Sequence, residues 1–197
     1  MGSHHGVILG ACLRAAPRGH HVAVEPLPEL ASDLRRRFPG VEVLEVAVGD
    51  AAGRTTFQRV RPQRGLSGFR LTPLVGRTAT VEAIEVATAR LDDLLPPDRA
   101  VALLKVDVEG AELGALRGAA ATIRRWRPAV IFEYEPLSAA AYDTSAAMLH
   151  AFLVEECGLA VFALDGTGPL STGAMAALAA TGRTWNFVAL PPGRRPF

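Results

Sequence analysis

A chain of 197 residues, 49% hydrophobic and 21% charged, is long enough to close one core as a single domain. With 21 basic against 20 acidic residues it has no general affinity for nucleic acid or a membrane surface, and no apolar run approaches the roughly 20 residues of a membrane helix. The amino end has no basic region ahead of a long apolar stretch, so no signal peptide is visible, and Cys12 and Cys157 read as buried thiols of a cytoplasmic protein.

In chain order, "GSHHG" places Gly2 and Gly6 just before "GVILGACL", which reads as a core helix. The same opening resembles the start of an expression tag, with His4 and His5 as vector residues. The alternative is a glycine turn that lets the backbone approach a nucleotide cofactor. "HHVAVEP" is a short strand ending at Glu25 and Pro26, followed by a helix in "ELASDLRRRF" with Leu30, Leu34 and Phe38 on one face. "VEVLEVAV" reads as one edge-like strand. "RTTFQRV" and "VEAIEVAT" form an extra strand pair within 49–90. Their loop carries Arg59, Arg61, Arg64 and Arg70, which suit either an anionic acceptor such as a phosphorylated sugar or a solvated basic loop.

"LLKVDV" reads as a central strand and "AELGALRGAAATIRRW" as its following helix. "AVIFEY" is the next strand, "SAAMLHAFLVEECG" a helix capped by Gly158, and "LAVFAL" and "NFVAL" are the last two strands. Strands alternating with helices predict an α/β domain over 1–197 whose mostly parallel sheet is covered on both faces. Ligands of such sheets bind beyond the carboxyl ends of the strands. Asp107 and Glu109 end one strand, Glu25 another, and Glu133 and Glu135 a third. Unpaired carboxylates are costly to bury, so acids gathered at one rim point to a site. Glu42, Glu45, Glu82 and Glu85 read as solvating exposed faces.

"LLKVDVEGAELGALRGA" resembles the signature of FkbM-type S-adenosylmethionine-dependent methyltransferases. "VAVEPLPELASDLRRRF", "VEVLEVAVGDAAGRTTF", "VATARLDDLL" and "LAVFALDG" followed by "NFVAL" resemble other segments of that family, in its order. The resemblance implies a Rossmann-like class I methyltransferase fold with a final antiparallel strand. It implies that Gly2, Ser3 and Gly6, with His4 in the same turn, receive the cofactor's methionine end. Glu25, with Pro26 beside it, would hold the ribose diol, and Ala47 and Val48 would lie beside adenine. Asp107 would stand by the methionine amino group or the incoming hydroxyl. Glu112 would be a helix amino-end residue that favours the dipole.

The family carries a whole apolar strand before the glycine turn, whereas here Met1 occupies that strand's last position. The expectation is an amino-terminally truncated domain lacking its first central strand. The implied reaction is methylation of a hydroxyl on a sugar or natural-product small molecule. It requires alignment of the acceptor oxygen and removal of its proton. Asp107 is the expected positioning group, with Glu109 and Glu133 as candidate bases and His4 as a further possible assistant. These acids are hard oxygen ligands that could hold a divalent metal, but none is assigned, because the Asp/Asn spacing of metal-dependent catechol-type enzymes is absent. Two other classes stand beside this one: a degenerate nucleotide-binding domain, and a nucleotide-dependent oxidoreductase, disfavoured by the missing G-x-G-x-x-G.

Overall fold

The computed structural model describes residues 1–196, and among them backbone pairing sorts the strands into three sheets. β1 (Val22–Val24) pairs in parallel with β2 (Glu42–Leu44). β3 (Ala47–Val48) runs parallel to β5 (Thr80–Ala89), which forms a long antiparallel hairpin with β4 (Gly53–Arg61). The largest sheet has the order β6-β7-β9-β8, from β6 (Leu103–Val106), β7 (Ala129–Glu133), β8 (Ala160–Ala163) and β9 (Asn186–Leu190). β6 and β7 are parallel, and β9 lies antiparallel to both its neighbours. The single mostly parallel sheet expected from the sequence is therefore divided. "VEVLEVAV" is also divided: it breaks at Glu45 and sends β2 and β3 into different sheets.

Between β1 and β6 lie Met1 and Gly2. Met1 N donates to Lys105 O at 2.7 Å, and Asp107 N donates to Met1 O at 3.3 Å. On the other side, Gly2 N and Ser3 N both donate to Val24 O at 3.2 Å. These bonds hold the carboxyl ends of β1 and β6 side by side.

The helices are α1 (Val7–Ala15), α2 (Pro28–Arg37), α3 (Leu91–Leu94), α4 (Glu112–Arg117), α5 (Ala120–Trp126), α6 (Pro136–Ala140), α7 (Ala146–Ala151) and α8 (Thr172–Ala180). Pro28 at its first turn, Glu29 behind it and Arg35 to Arg37 in its last turn all suit α2, since they match the helix's fixed φ and dipole. Its Leu30, Ala31 and Leu34 are buried as the spacing predicts. α1 corrects the expected core helix: Val7 is 77% exposed and no residue of α1 is fully buried. Only Leu9 and Leu13 pack inward, against the cluster holding Leu34 and Phe38. Cys12 is accordingly half-buried, while Cys157 is buried, and both thiols are free.

The main core lies on one face of the largest sheet, where Val106, Val130, Phe132 and Phe187 meet Leu116, Ile123, Leu149 and Met175 from the helices. The opposite face holds a smaller cluster of Phe162, Val188 and Leu190 with Ala129, Ile131 and Ala160. Its members come from strands alone, and Leu103 on β6 is 43% exposed. The helix expected after β6 is two helices, because the chain turns at Gly118. Gly118 O accepts from Asp92 N at 2.9 Å instead of continuing the helix. The Asp92 carboxylate then accepts from Ala121 N (2.9 Å) and Thr122 N (2.8 Å), the otherwise unpaired donors of the first turn of α5. Asp92→Ala is expected to cost about 0.5–2 kcal/mol, as the loss of an amino-end cap does, measured as a lower denaturant midpoint with an unchanged slope.

Candidate active site

The strand ends brought together by Met1 and Gly2 open onto a cavity of about 170 Å³. Its walls come from Gly2 and His4 in the glycine turn, Glu25 to Leu27 after β1, Ala47 and Val48 of β3, Phe57 of β4, and Asp107 to Glu109 after β6. Arg64, Gly65, Ser67 and Phe69 from the β4–β5 connection complete it. Ser3 and Gly6 hold the turn without lining the cavity: Ser3 N is bonded to Val24 O, and Ser3 O accepts from Gly6 N at 2.8 Å.

The turn's two glycines are there for conformation and space. Gly2 has φ 70°, and a Cβ on it would stand 1.7 Å from Asp107 O. Gly6 has φ 74° and leads directly into α1, with Phe38 and Leu34 packed where its side chain would be. Both positions are in the left-handed region that only glycine adopts freely.

Glu25 is 5% exposed. Its carboxylate accepts from His4 N at 2.8 Å and Leu27 N at 3.2 Å. Burial raises its pKa, and these two bonds oppose the rise. Glu25 is thus both a wall of the cavity and a clamp on the glycine turn. Pro26 and Leu27 continue the wall, and the edge-to-face pair Phe57–Phe69 (centroids 5.6 Å apart) stands with the apolar side formed by Ala47 and Val48.

At the other end, Asp107, Glu109 and Glu133 offer carboxylate oxygens within 4.8 Å of one another. Lys105 Nζ, 2.6 Å from Asp107 Oδ2 and 3.3 Å from Gly2 O, supplies one countercharge. Burial and then the neighbouring Glu133 push the Glu109 pKa up to about 8. Burial and then Asp107 push Glu133 in the same direction. Carboxylates at this spacing can share a divalent cation or share protons. Glu109 also has φ 58°, a conformation uncommon for a residue with a side chain.

Glu112 lies behind this group. It opens α4 as expected, but it is 2% exposed and accepts from Val108 N (2.8 Å) and Gly110 N (3.3 Å). Burial raises its pKa to about 7 in spite of those bonds. Its work is to fasten the loop carrying Asp107 and Glu109, well beyond favouring a dipole. Glu135 leaves the rim altogether and caps α6 through Leu137 N and Ser138 N.

The β4–β5 connection roofs the cavity and absorbs most of its basic charge elsewhere. Arg59 pairs with Glu82 and Glu29, Arg61 reaches Glu29, and Arg70 binds Ala141 O and Asp143. Arg64 alone of the four faces the cavity. Glu42, Glu45, Glu82 and Glu85 carry ion pairs on exposed faces, as the sequence suggested. Sequence reasoning missed Leu27, Phe57, Gly65, Ser67 and Phe69. Phe57 alone had a usable signal, as the one aromatic among polar neighbours in "RTTFQRV".

In this mixed α/β domain a glycine turn and the acid-bearing ends of β1 and β6 meet around one cavity, with Glu133 at the end of β7 close to Asp107 and Glu109. The family model described as the methyltransferase FkbM domain matches residues 1–159, more than half of the chain. The chain therefore belongs to the FkbM methyltransferase family. The crystal structure of methyltransferase FkbM from Methylobacillus flagellatus KT is similar in fold, with a TM-score of 0.59 at 16% identity. The match covers 96% of this chain and 41% of that one, so the chain spans well under half its neighbour's length. No curated protein matches. No helix among the described residues is long and apolar enough to cross a membrane.

The raised Glu109 pKa has a measurable consequence. Between its ordinary value of 4.5 and about 8, the folded chain holds a proton that the unfolded chain has released. Stability from this group is complete below the ordinary value and is lost as pH rises toward 8. The difference between Glu109→Gln and the parent isolates the carboxyl: the variant is expected to gain stability relative to the parent from pH 5 to pH 9, in denaturant titrations at each pH.

Proposed function

We infer that the protein transfers a methyl group from S-adenosylmethionine to a hydroxyl of a small molecule such as a sugar or natural product, on a Rossmann-like scaffold. Family membership supports the methyltransferase part. The finer reading is carried by one observation: an acid, an apolar wall and an acid cluster succeed one another around a single cavity. That sequence of surfaces suits a ribose diol, an adenine ring and a methionine ammonium in turn.

Glu25 fits the ribose, since each carboxylate oxygen keeps a lone pair beyond the backbone bond it accepts. Ala47, Val48, Leu27 and Phe57 give adenine an apolar surface. Asp107 stands beside Gly2, where the methionine end would be received, and Lys105 fixes its orientation at 2.6 Å. When bound, the cofactor supplies an activated methyl carbon on a sulfonium. The chain's part is to hold the acceptor oxygen in line and to remove its proton, while the roof from Arg64 to Phe69 limits water. The acid cluster, with one cation already paired, suits a neutral or cationic acceptor better than an anionic one. A phosphorylated acceptor would have Arg64 alone to meet it.

Calorimetry with S-adenosylhomocysteine tests the cofactor assignment. Glu25→Ala is expected to weaken binding about ten- to a hundredfold, for the loss of charge-assisted hydrogen bonds worth roughly 1.5–3 kcal/mol. It should also lower stability, because His4 N and Leu27 N lose their acceptor. Unchanged affinity in a variant that remains folded would remove Glu25 from the ribose site.

A further inference from the structure

Two polar groups face the same gap under the roof, and they differ in their readiness to take a proton. His4 has its backbone N–H committed to Glu25 Oε2 at 2.8 Å. Its ring Nε2 is buried and has no hydrogen-bond partner among the described residues. A buried polar atom left in this way is costly until something pairs with it. Above it, the direction in which residue 65 would carry a side chain points between two atoms. A Cβ there would be 3.8 Å from His4 Nε2 and 3.9 Å from Glu109 Oε1. Because residue 65 is glycine, no side chain from it crowds His4 and Glu109, which line the same cavity.

We propose that this gap receives the acceptor hydroxyl, and that His4 Nε2, rather than a carboxylate, takes its proton. The proposal rests on the methyl-transfer reading above. As the acceptor O–H bond breaks, the proton passes to Nε2. An oxygen electron pair forms the new bond to the methyl carbon, and the carbon–sulfur bond breaks with its pair remaining on sulfur. Glu109 steadies the same oxygen by donating its own proton in a hydrogen bond.

Ionisation agrees with the geometry. Burial, then His5, lowers the His4 pKa below its usual 6.5; Asp107 opposes the change, while Arg64 and Lys105 add to it. Glu109, by contrast, keeps its proton up to about 8. Near neutral pH the imidazole is the empty partner and Glu109 the full one. A base is useful only when unprotonated at the working pH.

The test separates the two readings. S-adenosylhomocysteine binding is measured first: its absence in the parent chain ends the cofactor reading. His4→Asn keeps the backbone N–H and suits φ 45°, since Asn tolerates the left-handed region; its own S-adenosylhomocysteine affinity is measured, and rates are compared at saturating cofactor. Release of labelled methanol from methyl-tritiated S-adenosylmethionine, with water as acceptor, then reports proton removal. In the parent it should rise with pH through a midpoint below 6.5 and level off by pH 7. In His4→Asn it should fall at least ~100-fold, the scale of a lost general base. A parent-like rate in that variant, or a midpoint near 8, overturns the proposal. Gly65→Ala should also lose turnover, because its methyl enters the gap at ordinary contact distances without disturbing the fold. Independently of turnover, ¹⁵N-histidine spectra of the full chain, with His4 assigned through its loss in His4→Asn, must show a neutral imidazole with an unbonded Nε2 at pH 7. A protonated or hydrogen-bonded ring overturns the proposal even if water proves a poor acceptor.

Discussion

The arrangement of the site depends on a contact between two backbones. Gly2 passes so close to Asp107 O that no side chain is possible there. Met1 and Gly2 bond β6 on one side and β1 on the other. β1 and β6 belong to different sheets, so these few hydrogen bonds set the distance between Glu25 and Asp107. They also bring His4, whose backbone N–H bonds Glu25, into the cavity that Asp107 lines. Each bond contributes modestly, about 0.5–1.5 kcal/mol, yet their joint geometry fixes which side chains share the cavity.

Around that contact the molecule gathers more carboxylates than it can ionise together. Asp107 has Lys105; Glu109, Glu133 and Glu112 have burial and one another. Keeping protons on such groups is the inexpensive solution in a poorly solvated place. It converts acids from proton acceptors into donors, and so changes which neighbouring group is fit to act as a base. Glu112 shows the structural side of the same chemistry. Its buried carboxyl holds two backbone N–H groups of the loop that presents Asp107 and Glu109.

The long β4–β5 hairpin supplies what the sheet rim lacks, an apolar wall and a roof. Gln58 and Gly68 exchange backbone bonds of 2.7 and 3.2 Å, and Val60 N donates to Ser67 Oγ, folding the connection back over the cavity. Tyr142 OH then accepts from Arg70 N at 3.0 Å and ties the far end to the loop after α6. The arginines of this segment are spent on Glu29, Glu82 and Asp143. What reads in sequence as a basic patch is mostly internal bracing, with Arg64 its exception.

The sequence by itself determined the family, the alternation of strands and helices, the hairpin, and the acids at strand ends. Those properties are local or periodic: "LLKVDVEGAELGALRGA" is contiguous, Leu30 and Leu34 repeat with the helix, and Asp107 follows an apolar strand. Tertiary structure alone decided the rest. α1 carries a core-like composition yet lies largely exposed, because burial depends on what packs against a face. "VEVLEVAV" has the pattern of one strand, but partners outside it divide it between two sheets. Glu135 and Glu133 look alike in "FEYE", and only the path of α6 makes one a cap and the other a member of the acid cluster. The opening between His4 and Glu109 is defined by a glycine about sixty positions from the first and over forty from the second, a juxtaposition that no local pattern encodes.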